Sequence, residues 1–266
     1  SLGQNHLSFF YPENLSKGIR IRKLKQIRIQ NVLTCMQPLR SILSKIFPPS
    51  RTTVQAKWDE SFTNRKRIPP WRGRKSLDAC DRAMKTGWIP SQSRVLDLGC
   101  GEGMLAIRMA EVGQCIVHGV DISGKAIEIA HESRSKLHPS LQKLLTFGVL
   151  DVLSSEPIEA TLHADFDVVL DVGCFHNFKK VKERRLVAEK MHKVLRPGGK
   201  WMLVVKAFRD NKSDRSAETQ WRIEMIEAAC AGLFSLSHFD EADLKGPHMT
   251  SEMPGLAFYL QKTPLL

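Results

Sequence analysis

No run of about 18 apolar residues occurs in the 266-residue chain, so no segment is long enough to cross a bilayer as a helix. Six cysteines are present (Cys35, Cys80, Cys100, Cys115, Cys174 and Cys230), and none forms a C-x-x-C pair. Neither a zinc site nor a disulfide framework is therefore indicated, no metal is expected, and a reducing compartment fits best. Acid is almost missing from one end. Residues 1–75 hold 16 Lys+Arg against 3 Asp+Glu, whereas residues 76–266 hold 24 against 25. The formal net charge of +12 thus belongs to the N-terminal part, and the rest of the chain is electrically balanced.

That basic part reads as an appendage. Residues 17–28, KGIRIRKLKQIR, are dense in Lys and Arg and contain no acid, and the following NVLTCMQPLRSILSKIF places apolar residues at helical spacing until Pro38 interrupts it. Such a composition suits an organellar transit segment, an unspecialised solvated tail, or a contact with RNA or an anionic membrane surface. Residues 1–55 are accordingly read as a basic extension and 56–266 as the catalytic domain, with a lid over about 56–75. The expected location is the cytoplasm, or an organelle if the extension is a transit segment.

From there the chain alternates short β-branched runs with helical patterns, the signature of βαβ units and a parallel sheet. Strands are expected near 94–98, 116–120, 144–148, 166–171, 200–206, 233–238 and 256–261, and helices near 75–86, 102–113, 124–135, 180–194 and 217–230. A helix precedes only the first two of the last three strands, which predicts an antiparallel finish to the sheet. No internal repeat is visible.

The chemistry concentrates where an apolar strand runs into a glycine-rich turn, VLDLGCGEG over residues 95–103. Glycines at 99, 101 and 103 permit a sharp turn and close backbone approach to a ligand. A dinucleotide fold would prefer G-x-G-x-x-G, whereas this turn is G-x-G-x-G and follows Asp97, an acid that would repel a phosphate. The cationic sulfonium and amino group of S-adenosylmethionine are attracted by such a carboxylate. The next strand ends in Asp121, placed to accept both hydrogen bonds of a ribose diol or, in the competing reading, to cap the helix starting near Ser123. A third strand ends at Asp151, suited to an adenine amine or to a simple turn.

VLDLGCGEG, GVDIS, Asp151-Val152, FDVVLD and LRPGGK, in this order and spacing, resemble the signature set of class I S-adenosylmethionine-dependent methyltransferases over residues 70–262. The resemblance implies an α/β fold, a doubly wound seven-stranded, mostly parallel sheet in the order 3-2-1-4-5-7-6 with helices on both faces. It also implies that Asp97, Gly99, Cys100 and Gly101 hold the methionine moiety, Asp121 and Ile122 the ribose, and Asp151 and Val152 the adenine. Asp171 is expected to border the cofactor too.

The segment Asp171-Val172-Gly173-Cys174-Phe175-His176-Asn177, with Trp58-Asp59-Glu60-Ser61-Phe62 and Ile68-Pro69-Pro70-Trp71, resembles a small-molecule branch. That branch includes the thiopurine, thiol and halide methyltransferases and the tellurite-resistance enzymes. The likeness implies that Trp58 and Trp71 shield the sulfonium, whose charge aromatic faces attract; core filling is the competing role. Asp171 and His176 are the candidate catalytic residues, His176 as general base or as pocket wall. On a strand, Cys174 and His176 would share a side. No N-P-P-Y follows the fourth strand, which disfavours amino-methylation of adenine or glutamine. The expected acceptor is a small molecule, with a thiol or other soft nucleophile and a simple oxygen or nitrogen acceptor as its candidates, and the expected state is a monomer. Two readings stay open beside it: an RNA methyltransferase using the basic extension, and a cofactor-binding interaction module without activity.

Overall fold

A computed structural model of the chain describes residues 51–64, 78–160, 162, 165–207, 215–244 and 253–264. Most of the basic extension, Trp71 with its Ile-Pro-Pro approach, and residues 208–214 lie outside the described residues.

Seven strands form one sheet: β1 (Arg94–Leu98), β2 (Ile116–Asp121), β3 (Leu145–Val149), β4 (Phe166–Val172), β5 (Leu195–Lys206), β6 (Phe234–Asp243) and β7 (Pro254–Lys262). Their order is β3-β2-β1-β4-β5-β7-β6. β1 through β5 pair in parallel, and β7 lies antiparallel between β5 and β6. The fold class, the strand order and the antiparallel finish match the expectation from sequence.

The side-chain period of two divides the core. Leu96, Val169, Leu203, Phe258 and Trp201 pack on one face, whereas Val95, Val168, Met202, Val204 and Ala257 pack on the other. Strands buried on both faces read as continuous apolar runs such as WMLVV because helices cover both sides. Those helices are α1 (Arg51–Thr63), α2 (Asp78–Lys85), α3 (Met104–Gly113), α4 (Gly124–Ser135), the single turn α5 (Pro139–Gln142), α6 (Val181–Val194) and α7 (Arg215–Cys230).

Two differences from the sequence reading have physical causes. β5 begins at Leu195 rather than near 200: Leu195 pairs with Phe166, the register then shifts, and Gly198 at φ +73° carries the Pro-Gly-Gly turn as an irregularity inside the strand. Residues 51–63, which include the start of the expected lid, are helical. In α1, Val54, Trp58, Ser61 and Phe62 recur at helical spacing on the inward side, with Phe62 buried, although the segment is too polar to show an apolar stripe in sequence.

Among the described residues no helix is long and apolar enough to cross a membrane.

Candidate functional site

The site is built at the carboxyl ends of β1, β2 and β4, where open parallel sheets take their ligands. Leu98 passes directly into the turn. The backbone N–H groups of Gly99 and Cys100 both donate to Val120 O, at 2.8 and 3.0 Å, which folds the turn over the end of β2. Gly99 (φ +74°) and Gly103 (φ +76°) take the left-handed conformation. A methyl group at Gly99 would stand 2.7 Å from Cys174 Cβ, and one at Gly103 would stand 2.7 Å from the Phe147 ring, so both positions exclude alanine on contact as well as conformation.

Asp121 closes this cradle. Its Oδ2 accepts the Gly101 N–H and its Oδ1 accepts the Ser123 N–H, each at 2.9 Å. The carboxylate therefore holds the glycine turn and the start of α4 in one piece. Burial raises its pKa, opposed by those backbone donors and by that of Ile122. Helix α4 is capped by Ser123, whose Oγ accepts Ala126 N–H at 3.1 Å. The competing reading of Asp121 thus describes part of what it does here: it braces the cap, and Ser123 supplies the cap oxygen.

Asp97 and Asp171 are buried acids on neighbouring strands, 2% and 0% exposed. By strand alternation they leave from opposite faces, Asp97 in phase with Val95 and Asp171 with Val169. Asp171 Oδ1 accepts the N–H groups of Cys174 and Phe175, at 3.0 and 3.1 Å, and so shapes the segment after β4. The remaining oxygen, Asp171 Oδ2, and Asp97 Oδ2 are buried with no hydrogen-bond partner. Desolvation, then the charges of Asp171 and Asp121, push Asp97 up to about 8, and desolvation pushes Asp171 up to about 7. Two orphaned buried carboxylate oxygens beside a glycine cradle fit a cationic ligand. An ammonium supplies a hydrogen-bond donor and a sulfonium an attractive charge, whereas a phosphate would add repulsion.

The segment after β4 is not the strand that a spacing of two assumes. β4 ends at Val172, and Phe175–Asn177 form a 3-10 turn behind Cys174. Cys174 and His176 therefore do not share a strand face. Cys174 packs against Gly99, and burial raises its thiol well above the usual range. His176 Nδ1 lies 3.4 Å from Lys206 N at the end of β5, and its carbonyl accepts the Lys179 ammonium at 2.9 Å. Burial first, then the charges of Lys179, Arg222 and Lys206, hold His176 down at about 4.

Asp151 stands just past β3, where its Oδ1 accepts the Leu153 N–H at 2.9 Å and its carbonyl accepts the Ser154 N–H at 2.9 Å. It is both a turn residue and an acid at the sheet's edge. Val152 beside it is buried, and Ile122 is half-buried next to Asp121.

Sequence reasoning singled out Trp58–Phe62 but assigned nothing to its acid. Asp59 Oδ1 accepts Ser123 Oγ–H at 2.6 Å and Lys125 N–H at 3.1 Å, fastening α1 to the first turn of α4. Phe62, buried, lies over Gly101: a methyl group there would be 3.5 Å from the ring. Trp58 is half-buried, with the Lys57 ammonium 5.8 Å from its ring centroid. One acid of an adjacent Asp-Glu pair in a polar helix carries no sequence signal for such a contact.

The family model described as methyltransferase domain matches residues 89–243. The chain belongs to that methyltransferase family. S-adenosylmethionine is its cofactor, in keeping with the orphaned carboxylates beside the glycine turn. Among curated relatives, 27-O-demethylrifamycin SV methyltransferase of Amycolatopsis mediterranei (strain S699) is 33% identical over 119 residues, 44% of this chain and 40% of the relative. Ubiquinone biosynthesis O-methyltransferase of Thiobacillus denitrificans is 30% identical over 135 residues, 49% and 53% of the two chains. EEF1A lysine methyltransferase 2 of Danio rerio is 26% identical over 175 residues, 61% and 72%. The chain spans about half the length of the first two. The fold is shared with the N-methyltransferase NodS from Bradyrhizobium japonicum WM9, in complex with S-adenosyl-L-homocysteine, at TM-score 0.55 and 13% identity, covering 79% of this chain and 98% of that one.

Proposed function

We propose that this methyltransferase transfers the methyl group of S-adenosylmethionine to a small-molecule acceptor, with sulfur, another soft nucleophile or a simple oxygen or nitrogen as the atom methylated. The observation that carries the cofactor's position is the pair of buried, unpartnered oxygens on Asp97 and Asp171 beside the Gly99–Gly103 turn. In this reading Asp97 attracts the cationic methionine end, while Gly99, Cys100 and Gly101 give it backbone to lie against. Asp121, with Ile122 beside it, takes the ribose through lone pairs that its two backbone contacts leave available. Asp151 and Val152 border the adenine, and Trp58 shields the sulfonium from the α1 side. Bound S-adenosylmethionine supplies an activated methyl group on a good leaving group.

The protein's contribution is then mostly placement and exclusion of water. Asp171 is a positioning residue: it fixes the Cys174–Asn177 turn that walls the acceptor side. His176, held neutral, forms part of that wall, and its low basicity weighs against a general-base role. The likeness to the thiopurine, thiol and halide branch belongs here as a proposal. The two O-methyltransferase relatives favour a small acceptor, with oxygen among its candidates.

A second reading, methylation of a protein lysine, is favoured by one observation: the zebrafish relative named for that activity is matched over the longest span of the three, 175 residues. Incubating the full chain with S-[methyl-3H]adenosylmethionine and a panel of thiols, phenols and amines, beside total RNA and a protein extract, separates these. Label entering only small organic products supports the proposal. Label confined to RNA or to protein would overturn it.

A further inference from the structure

The loop from β3 to β4, which begins with Asp151 and Val152, is gripped from across the core by a buried lysine. Helix α6 turns Val187, Ala188, Met191 and Val194 into the apolar core, and Lys190 is buried in the same stretch, 8% exposed. An ammonium taken out of water is costly unless it is well hydrogen-bonded, and such a helix position ordinarily takes an apolar residue. Lys190 Nζ donates to Ser154 O at 2.7 Å and to Glu156 O at 3.1 Å. Val152, Leu153 and Ile158 already pack in that core, but apolar contact is non-directional and does not fix how the backbone between them turns. Two charge-assisted hydrogen bonds do.

The grip passes to Asp151. Ser154, whose carbonyl Lys190 holds, donates its own N–H to Asp151 O at 2.9 Å, and Leu153 N–H donates to Asp151 Oδ1 at 2.9 Å. Glu156 N–H in turn donates to Ser154 Oγ at 3.1 Å. The orientation of the Asp151 carboxylate is thus tied to the 151–156 turn, and the turn to α6. The same helix holds the segment after β4 through Arg184 Nη1, which donates to Phe178 O and Lys179 O, each at 3.0 Å.

We infer that Lys190 is a positioning residue for the adenine end of the cofactor: from α6 it sets the 151–156 turn so that the Asp151 carboxylate meets the exocyclic amine, and it thereby determines the preference for adenine over a 6-oxo base. This inference rests on the reading of Asp151 and Val152 as the adenine's neighbours and adds to it what aims the acid. A carboxylate accepts from the amine and is repelled by a carbonyl in its place, so an error in aim weakens the adenine ligand and spares the oxo one.

S-adenosylhomocysteine and S-inosylhomocysteine, whose 6-carbonyl replaces the amine, are titrated by calorimetry into the full chain. The proteins compared are the native chain, Lys190→Met, Lys190→Arg, Asp151→Ala and the double variant Lys190→Met/Asp151→Ala. Methionine is unbranched and apolar and suits a buried helix position, so the fold is kept; thermal melts check this, and Lys190→Gln replaces it if they fail. The native protein should prefer the adenine ligand. In Lys190→Met its affinity should fall about 3- to 10-fold, the worth of about one hydrogen bond, with the inosine ligand changed less than about 2-fold and arginine restoring the preference. With Asp151 already replaced by alanine, the lysine substitution should add nothing. An equal change for both ligands in Lys190→Met, or a full further loss in the double variant, would overturn the inference while leaving the adenine reading intact. No preference for adenine in the native protein, or none lost in Asp151→Ala, would overturn the adenine reading and the inference with it.

Discussion

Substituting Asp59 by alanine tests whether α1 is part of the site or merely near it. The change removes the acceptor of two hydrogen bonds, from Ser123 Oγ at 2.6 Å and Lys125 N at 3.1 Å. Ser123 is fully buried, so its hydroxyl loses an acceptor it cannot replace with bulk water, at a cost of about 1–3 kcal/mol. Lys125 N–H is an early amide of α4, and losing its capping partner costs about 0.5–2 kcal/mol, toward the low end where water reaches the site. Asp59 is half-buried, so part of each cost is recovered by solvent, and about 1–2 kcal/mol is a fair sum for the contact. The loss should fall on the docking of α1 and leave the sheet alone, because the helix meets the site through this contact and Phe62. Hydrogen-exchange mass spectrometry should show amides 54–64 exchanging about 10-fold faster, since 1.4 kcal/mol is a factor of ten in an opening equilibrium. The β1 and β4 peptides should be unchanged. Affinity for S-adenosylhomocysteine should weaken alongside. Unaltered exchange over 54–64 would refute the latch.

Three further outcomes follow from the site. Asp97 and Asp171 are held up, at about 8 and about 7, so the fold prefers their neutral forms while the unfolded chain ionises them near 4. Their contribution is present in acid and is lost as pH rises through those values; the melting temperature of the ligand-free protein should fall between about pH 5 and 8, less steeply in Asp97→Asn, and stabilisation by S-adenosylmethionine should grow over the same range. Calorimetric scans across pH read both. Gly99→Ala combines a left-handed backbone with an overlap on Cys174 and should destabilise by about 2–4 kcal/mol, with Cys174→Gly restoring only part of it in thermal melts. His176→Ala should lower kcat/KM by less than the roughly 100-fold that loss of a general base entails, with no new limb in the pH profile above pH 6.

How much of this was legible in the sequence depends on whether a feature is local. The strands at 94–98 and 166–171 and helix 124–135 follow from short-range patterning, and in the structure they lie within a residue of those limits. The sheet order was implied by the family resemblance that the ordered motifs carry, since local periodicity does not say which strands lie side by side. The contacts of the site were less visible. That Asp121 divides its two oxygens between Gly101 and Ser123 depends on how tightly the turn folds onto β2. Asp171 as the brace of residues 174 and 175 depends on the chain turning at once after Val172, where the spacing of Cys174 and His176 invited an extended reading. Asp59 reaches Ser123 across 64 positions. Such convergences are properties of the fold, and single-sequence periodicity carries no trace of them.

The account's central claim is that a cationic, ribose-bearing cofactor lies across the Gly99–Gly103 turn between Asp97 and Asp121. The most direct measurement is calorimetric titration of S-adenosylmethionine and S-adenosylhomocysteine into the full chain, into Asp121→Ala and into Asp97→Asn, with NADH as control. The account predicts saturable binding of both sulfur ligands, weakened in each variant, and no heat from NADH. Undiminished binding in both variants, or binding of NADH in place of the sulfur ligands, would contradict it.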